Sequence, residues 1–492
     1  MKSKAYHPNP RRQAGAALMI FLAIFVLGVA AILLSELNQT DLALEQQAET
    51  TRALAQAKEA LVGHAVAFYD EKESNQGWYG ILPCPEVRRN EIFGEGVETG
   101  SCGGQNENTL GKLPWRSLGL EPLRDGSGEC LWYAVSGPYK NNPKTFMLNE
   151  DTKGLFKVWA DRGEEEDTLL DDDVVAVIIA PGELILDDSQ PNQKKGREQP
   201  PDLVEEKAET MCGYNYTASN YLDEKGNIKN FMIQDNEEKG KNPANELYDF
   251  LTAQDRLSSI NDQIVYILRE ELFDAVRQRE DFRHMPACLT QLTACCLANN
   301  TKTGGLPWAA PIELAGTEED KYSIDSKYEI TTNTFEGRVP FFDETEFINC
   351  VNPDNILKCG VSTECDYLNG PTFSRLWQNW KDHLFYAVAS AHKAGEPITT
   401  SSCPNNNCIE IAGKYYAGVV IFSGKALEGQ SRQDNSDQAN IENYLEGDNA
   451  TNLKESKRDG TYQPGTVDDK EVNDLLCGIK GSMELGFCIK PQ

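Results

Sequence analysis

Three hydrophobic patterns succeed one another along the chain. Ala16 to Leu34 (AALMIFLAIFVLGVAAILL) carries no charge, and at helical rise a run of that length just spans a hydrocarbon core. Residues 35–68 then contain no Pro, and no Gly before Gly63, while Leu54, Ala57, Leu61, Ala65 and Phe68 recur at spacings of three or four. That spacing predicts one apolar helix face, with Gln56, Lys58 and Glu59 elsewhere around it. One continuous helix of about 50 residues is expected, half in lipid and half packed on a head. Lys2, Lys4, Arg11 and Arg12 precede the uncharged run, and Glu36, Asp41 and Glu45 follow it. The positive-inside bias then places the N-terminus in the cytoplasm and the bulk of the chain outside. Further on, β-branched and aromatic runs bounded by Gly and Pro, such as WYAV and VVAVII, predict strands.

The later patterns occur twice. ILPCP (Ile81–Pro85), GKLPW (Gly111–Trp115), LWYAVSG (Leu131–Gly137), VVAVIIAPGE (Val174–Glu183), YLD (Tyr221–Asp223) and INDQIVYI (Ile260–Ile267) return in order. Their counterparts are GLPWA (Gly305–Ala309), GRVPF (Gly337–Phe341), LFYAVAS (Leu384–Ser390), GVVIFSGKA (Gly418–Ala426), YLE (Tyr444–Glu446) and VNDLLCGI (Val472–Ile479). Matching Gly111 with Gly337, Tyr133 with Tyr386, Val177 with Val420 and Asn261 with Asn473 gives offsets that drift as loop insertions would make them. A second helix is expected over 269–281, interrupted by Pro286. The expected organisation is a basic leader (1–15), a transmembrane helix (16–34), a first head with a helical spine (35–265) and a second head (266–492). The polar stretches 88–110, 184–212, 311–335, 427–440 and 447–470 read as surface loops.

Charge and cysteine usage narrow the function. The 77 acidic and 47 basic residues leave a net charge of −30, which argues against nucleic acid, since duplex binding needs a basic face. The 14 Cys are spread along the chain with only five His and no zinc-type spacing. Structural disulfides in an oxidising compartment are expected rather than a metal or redox centre.

The leader string RRQAGAALMIF, with Gly15 running straight into an apolar helix, resembles the prepilin-type signal of type IV minor pilins and pseudopilins. Together with QAKEAL, LPCP, GKLPW and DGSGECLWYAVSG it makes residues 11–225 similar to large bacterial pilin-like proteins. The resemblance implies cleavage by prepilin peptidase between Gly15 and Ala16. It also implies an α+β fold in which a long N-terminal transmembrane helix carries two tandem pilin-like heads, each a helix packed on an antiparallel sheet. The family's major subunits carry a Glu five residues after the cut, where Ile20 stands here. That departure resembles minor subunits at a filament tip. The expected partners are other pilin or pseudopilin subunits, prepilin peptidase and the inner membrane, with a surface ligand if the heads are adhesive. The alternatives are a type II secretion pseudopilin and an uncleaved, signal-anchored periplasmic binding protein or enzyme.

Candidate pairs among the cysteines are Cys403–Cys408 across a tight turn and Cys477–Cys488, placed like the C-terminal loop of many pilins. Cys84–Cys102 and Cys130–Cys212 are further candidates, whereas Cys288, Cys295, Cys296, Cys350, Cys359 and Cys365 are left unassigned. Oxygen-rich runs at Asp171–Asp172–Asp173 and around Asp434 and Asp437 would suit calcium, although an acidic chain carries such runs without it and no D-x-D-x-D-G loop is present. No cofactor is otherwise expected. No catalytic residue is assigned: G-x-S-x-G and the phosphate-binding loop G-x-x-x-x-G-K-[ST] are absent, and no partner is evident for His64, His383 or His392. Trp377 and Trp380, three apart, read as core.

Overall fold

The computed structural model describes residues 14–491 apart from 72, 74–75, 89–91, 93, 105–106, 141–146, 164, 186–210, 214, 232–247, 255–257, 300–303, 319, 369, 397–406, 458, 467–468 and 483. Side chains are described from residue 42 onward, apart from 344 and 347–348. Helix α1 (Ala14–Glu71) is 58 residues long. Its stripe Leu54, Ala57, Leu61, Ala65 and Phe68 is buried, as the spacing requires.

The first half follows with β1 (Thr109–Lys112), β2 (Trp132–Val135), β3 (Phe156–Asp161), β4 (Thr168–Ala180), the small hairpin β5 (Glu224–Lys225) and β6 (Ile228–Lys229), β7 (Tyr248–Ala253) and β8 (Gln263–Leu268). The long β4 pairs antiparallel with β2 and β8 along its C-terminal half and with β3 along its N-terminal half, while β3 pairs parallel with β7. Helices α2 (Arg269–Val276) and α3 (Glu280–Asn299) lead into the second half. There follow β9 (Glu336–Arg338), α4 (Glu344–Cys350), α5 (Pro353–Cys359), α6 (Gly370–Trp380), β10 (Leu384–Val388), β11 (Ile409–Ile411), β12 (Lys414–Tyr416) and β13 (Gly418–Phe422). The chain closes with α7 (Asn435–Ala439), α8 (Gly447–Glu455), β14 (Thr461–Tyr462), β15 (Leu475–Ile479) and β16 (Leu485–Cys488). The second sheet runs β16-β15-β13-β10-β9, and β12-β11-β14 form a separate small sheet with a parallel β11–β14 pair.

The expected fold class is corrected by these observations. Among the described residues no helix is long and apolar enough to cross a membrane. Where its side chains are described, α1 is amphipathic, with Leu54 and Leu61 buried and Arg52 and Gln56 exposed, a pattern that seats on protein. The transmembrane helix expected at 16–34 falls where side chains lie outside the described residues, as does Ile20; the leader residues 1–13 lie wholly outside them. Nor is each half one helix on an antiparallel sheet. The protein is mixed α/β, with four sheets among the described residues, two of them containing parallel pairs. The second helix also differs from expectation: α2 ends at Val276, and Pro286 lies inside α3. Seven residues into α3, Pro286 forfeits one backbone donor, but its neighbours Met285 and Ala287 are buried and the packing holds the helix.

The duplication is visible in atomic detail. The order β1-β2-β4-β8 matches β9-β10-β13-β15, every neighbour antiparallel. Gly111 faces Tyr133 as Gly337 faces Tyr386. Tyr133 donates its hydroxyl to the Pro83 carbonyl at 3.2 Å, and Tyr386 to that of Pro307 at 3.1 Å. Asn261 Nδ2 donates to the Glu183 carbonyl at 2.5 Å, and Asn473 Nδ2 to that of Lys425 at 2.7 Å. One match shifts by a residue: Tyr133 pairs with Ile178 and Tyr386 with Val420, so Ile178, not Val177, is the equivalent of Val420.

Both sheets are covered on both faces, which is why their strands are continuous apolar runs rather than alternations. Ile178, Tyr133, Tyr386 and Val420 face one shared core with Leu61 of α1 and Leu292 of α3. The opposite faces bury Val177 and Ile179 in one smaller core and Val419 and Ile421 in another. The helices α1 and α3 thus serve a single core that spans the two halves. The boundary expected at 265/266 falls inside β8.

Candidate functional site

Where the two halves meet, a set of charged side chains is buried. The turn after the first sheet's β2 brings Asn149 and Asp151 against Asn379, Asp382 and His383, which end α6 and enter β10. Leu148 N donates to Asn379 Oδ1 at 3.0 Å, Asn149 Nδ2 to the Asn379 carbonyl at 2.9 Å and to Asp382 Oδ1 at 3.0 Å. Asp151 is 8 % exposed and His383 is fully buried. Oδ2 of Asp151 lies 3.0 Å from Arg432 Nη1 and 2.9 Å from His383 Nε2, the latter an ion-pair contact without hydrogen-bond alignment. Arg432 is oriented by the Gly424 carbonyl at 3.0 Å and the Asn443 carbonyl at 2.6 Å. Behind it, Arg338 donates to the carbonyls of Asp382 and Gln438, both at 2.6 Å, and Tyr444 donates to Asp382 Oδ2 at 3.3 Å.

The electrostatics follow from that packing. Burial alone would raise the Asp151 carboxyl, but Arg432 and His383 outweigh it and hold the group below the usual carboxylate range. Burial alone would lower His383, but Asp382 and Asp151 outweigh it and raise the imidazole. Tyr444 is pushed well above the ordinary phenol value by burial.

Two chemistries can be tested on this geometry. Ser423 Oγ lies 3.1 Å from His383 Nδ1, so Ser423, His383 and Asp151 have the residue types of a hydrolytic triad. Ser423 and His383 are both fully buried, and a nucleophile sealed in a core meets no substrate. Asp151, Asp382 and His383 also bring one ligand atom each within 4.8 Å of one another, as a metal would need. Here the guanidinium of Arg432 already supplies the positive charge on Asp151, and Asn149 and Tyr444 donate to the two oxygens of Asp382. The arrangement is that of a structural clasp between the halves.

The residues singled out from sequence fall elsewhere. Gly15 and Ala16 lie in the first turn of α1, where only the backbone is described. Asp171, Asp172 and Asp173 lie on β4 and do not converge. Asp171 accepts from the Tyr266 hydroxyl at 2.5 Å, Asp173 is paired with Arg269 at 2.7 Å, and Asp172 is exposed. Asp434 caps α7 by accepting from the amides of Ser436 and Asp437, and Asp437 accepts from the Gln433 amide. Trp377 and Trp380 are buried.

The cysteines pair as Cys84–Cys102, Cys130–Cys212 and Cys477–Cys488. Cys403 lies outside the described residues, and with it the expected Cys403–Cys408 bridge. Three further pairs, Cys288–Cys365, Cys295–Cys359 and Cys296–Cys350, all spring from α3 and bind it to α4, α5 and the turn beyond. Sequence reasoning missed the polar clasp as well. Asp-His immediately before a repeated strand was its one local sign, and Asp151 is 232 positions from His383. Among the described residues, a cleft of ≈ 550 Å³ lies apart from these groups, between Gln47, Thr51 and Leu54 of α1 and Thr252, Gln263 and Ile264 of the sheet. Comparison with protein-family models, curated proteins and solved structures finds no match to this chain.

Proposed function

We propose that the protein is a non-catalytic structural subunit of pilin type, a minor or tip subunit matured by prepilin peptidase between Gly15 and Ala16 and working outside the cytoplasm. The observation that carries this reading is α1, which starts one residue before the glycine of the leader motif and continues unbroken until its apolar stripe seats on β4 and β8. A processing signal joined by one rigid helix to a disulfide-stapled body is what an assembled subunit needs, because the helix sets the body's position relative to its neighbours. The buried clasp supports a structural role, since its charges face one another and are closed off from solvent. The size of the body favours low copy number over a repeating position in a packed filament.

The test is intact-mass and N-terminal analysis of the full chain produced with and without prepilin peptidase. A new N-terminus at Ala16 only in the presence of the peptidase is expected. Persistence of Met1 or of the intact leader in its presence refutes the proposal.

A further inference from the structure

A second polar pairing lies beside the clasp, and the duplication repeats its geometry. In the first half, Asp262 Oδ2 accepts from the Asp223 amide and from Asn230 Nδ2, both at 2.8 Å, while Asp223 Oδ2 accepts from the Asn261 amide at 2.7 Å and the Asp262 amide at 3.0 Å. In the second half, Asp474 Oδ2 accepts from the Glu446 amide at 3.2 Å and from Asn449 Nδ2 at 2.9 Å. Glu446 Oε2 accepts from the Asn473 amide at 3.2 Å. Two acidic side chains thus cap each other's backbone in both copies.

Asp474 is fully buried, and its Oδ1 meets no donor. The reciprocal backbone bonds hold the Glu446 carboxyl beside that of Asp474. An ionised Asp474 would hold an unsatisfied oxygen beside a second carboxylate, a costly arrangement on both counts. Around the pair stand Asn449 from α8, Gln430, whose Nε2 donates to Glu446 Oε1 at 2.9 Å, and Arg432. Arg432 lowers both carboxyls without outweighing their burial, its Nε and Nη1 being taken by Asp151 and the carbonyls of Gly424 and Asn443.

We propose that Asp474 keeps a proton on Oδ1 and donates it to the Glu446 carboxylate, and that this shared proton is a pH-sensitive catch on the strap 425–446 that carries Arg432 into the first half. The proton satisfies the orphan oxygen and removes one of two facing charges. Burial and the Glu446 charge raise Asp474, and burial raises Glu446. The sign follows: the catch holds where Glu446 has ionised and Asp474 still keeps its proton, and it is lost as pH climbs through the raised value of Asp474 in the folded protein. Alkali then frees the strap, and with it the grip of Arg432 on Asp151. The inference stands independently of the pilin reading.

The test compares amide exchange at Glu446 and Asn473, corrected for the chemical rate, in the full-length wild type and Asp474→Asn from acid to alkaline pH. A tenfold loss of protection per unit of pH above the transition is expected in the wild type, for one proton lost. The Asn variant, whose amide N–H replaces the carboxylic O–H, should be flat. Infrared spectroscopy of wild type with labelled aspartate should show a buried protonated carboxyl on the acid side of the transition, which keeps the proposal testable if the variant does not fold. A flat wild type, a pH-dependent D474N, no protonated band, or protection that depends on added calcium and is removed by a chelator would each overturn the proposal.

Discussion

Replacing Asp151 by Asn keeps the shape of the side chain and removes the carboxylate charge in ion-pair contact with both Arg432 and His383. Because Asp151 is 8 % exposed and Arg432 and His383 are buried, the variant strands Arg432 without its counter-ion. Breaking a buried pair by neutralising one partner costs about 3–5 kcal/mol, roughly two to four decades in the folded-to-unfolded ratio. Chemical denaturation with the disulfides intact measures it, and Trp380, whose ring lies 5.0 Å from that of His383, reports locally by fluorescence. The pH dependence has a fixed sign. The Asp151 carboxyl is depressed below 3.8 in the folded protein, so its contribution is present above that value and is lost as pH falls through the folded one. The gap between wild type and D151N should therefore narrow in acid. Adding Arg432→Met should recover part of the loss, since the stranded cation is gone. A gap under about 1 kcal/mol at neutral pH, in the range of an exposed ion pair, or one that stays constant into acid, would refute the view that this clasp joins the halves.

Two more outcomes follow. Tyr133→Phe and Tyr386→Phe each delete one buried hydrogen bond to a proline carbonyl, so each should lower stability by about 1 kcal/mol and by similar amounts; a large asymmetry in thermal melting would mean that the two sites are not equivalent. Replacing Cys295 and Cys359 together by Ala opens the link between α3 and α5 and should cost about 2–4 kcal/mol in denaturant titration, with proteolysis appearing first around 350–365.

The parts of the fold legible in the sequence were those governed by spacing. Leu54, Ala57, Leu61, Ala65 and Phe68 announced a packed helix because one stripe had to be buried. The ordered repeat strings announced a duplication that the matched sheet registers display. Spacing misled where it carried no phase: Val174–Ala180 is apolar on both faces, so Val177 and Ile178 could not be told apart until the partners of Tyr133 and Tyr386 fixed the register. The apolar run at 16–34 read as a membrane span from composition alone. Pro286 read as a break because the local cost of proline is visible in sequence and the burial that offsets it is not. The clasp was illegible for a similar reason. Buried charges are selected by partners that the fold brings together, and Asp151, His383 and Arg432 share no periodicity. Of the cysteines, the sequence suggested the pairs at 84/102, 130/212 and 477/488, but not the three gathered by one helix face.

The cysteine pairing also decides how this body would respond to being pulled. A load entering along α1 and leaving through the second half is carried past each closed loop by its covalent link. The chain between Cys130 and Cys212 spans 82 positions, and that between Cys288 and Cys365 spans 77. Stretched at about 3.5 Å per residue, each would otherwise add roughly 270–290 Å of slack. With the links closed neither length can be drawn out, so a partly unravelled chain is a shorter tether than the same chain after reduction.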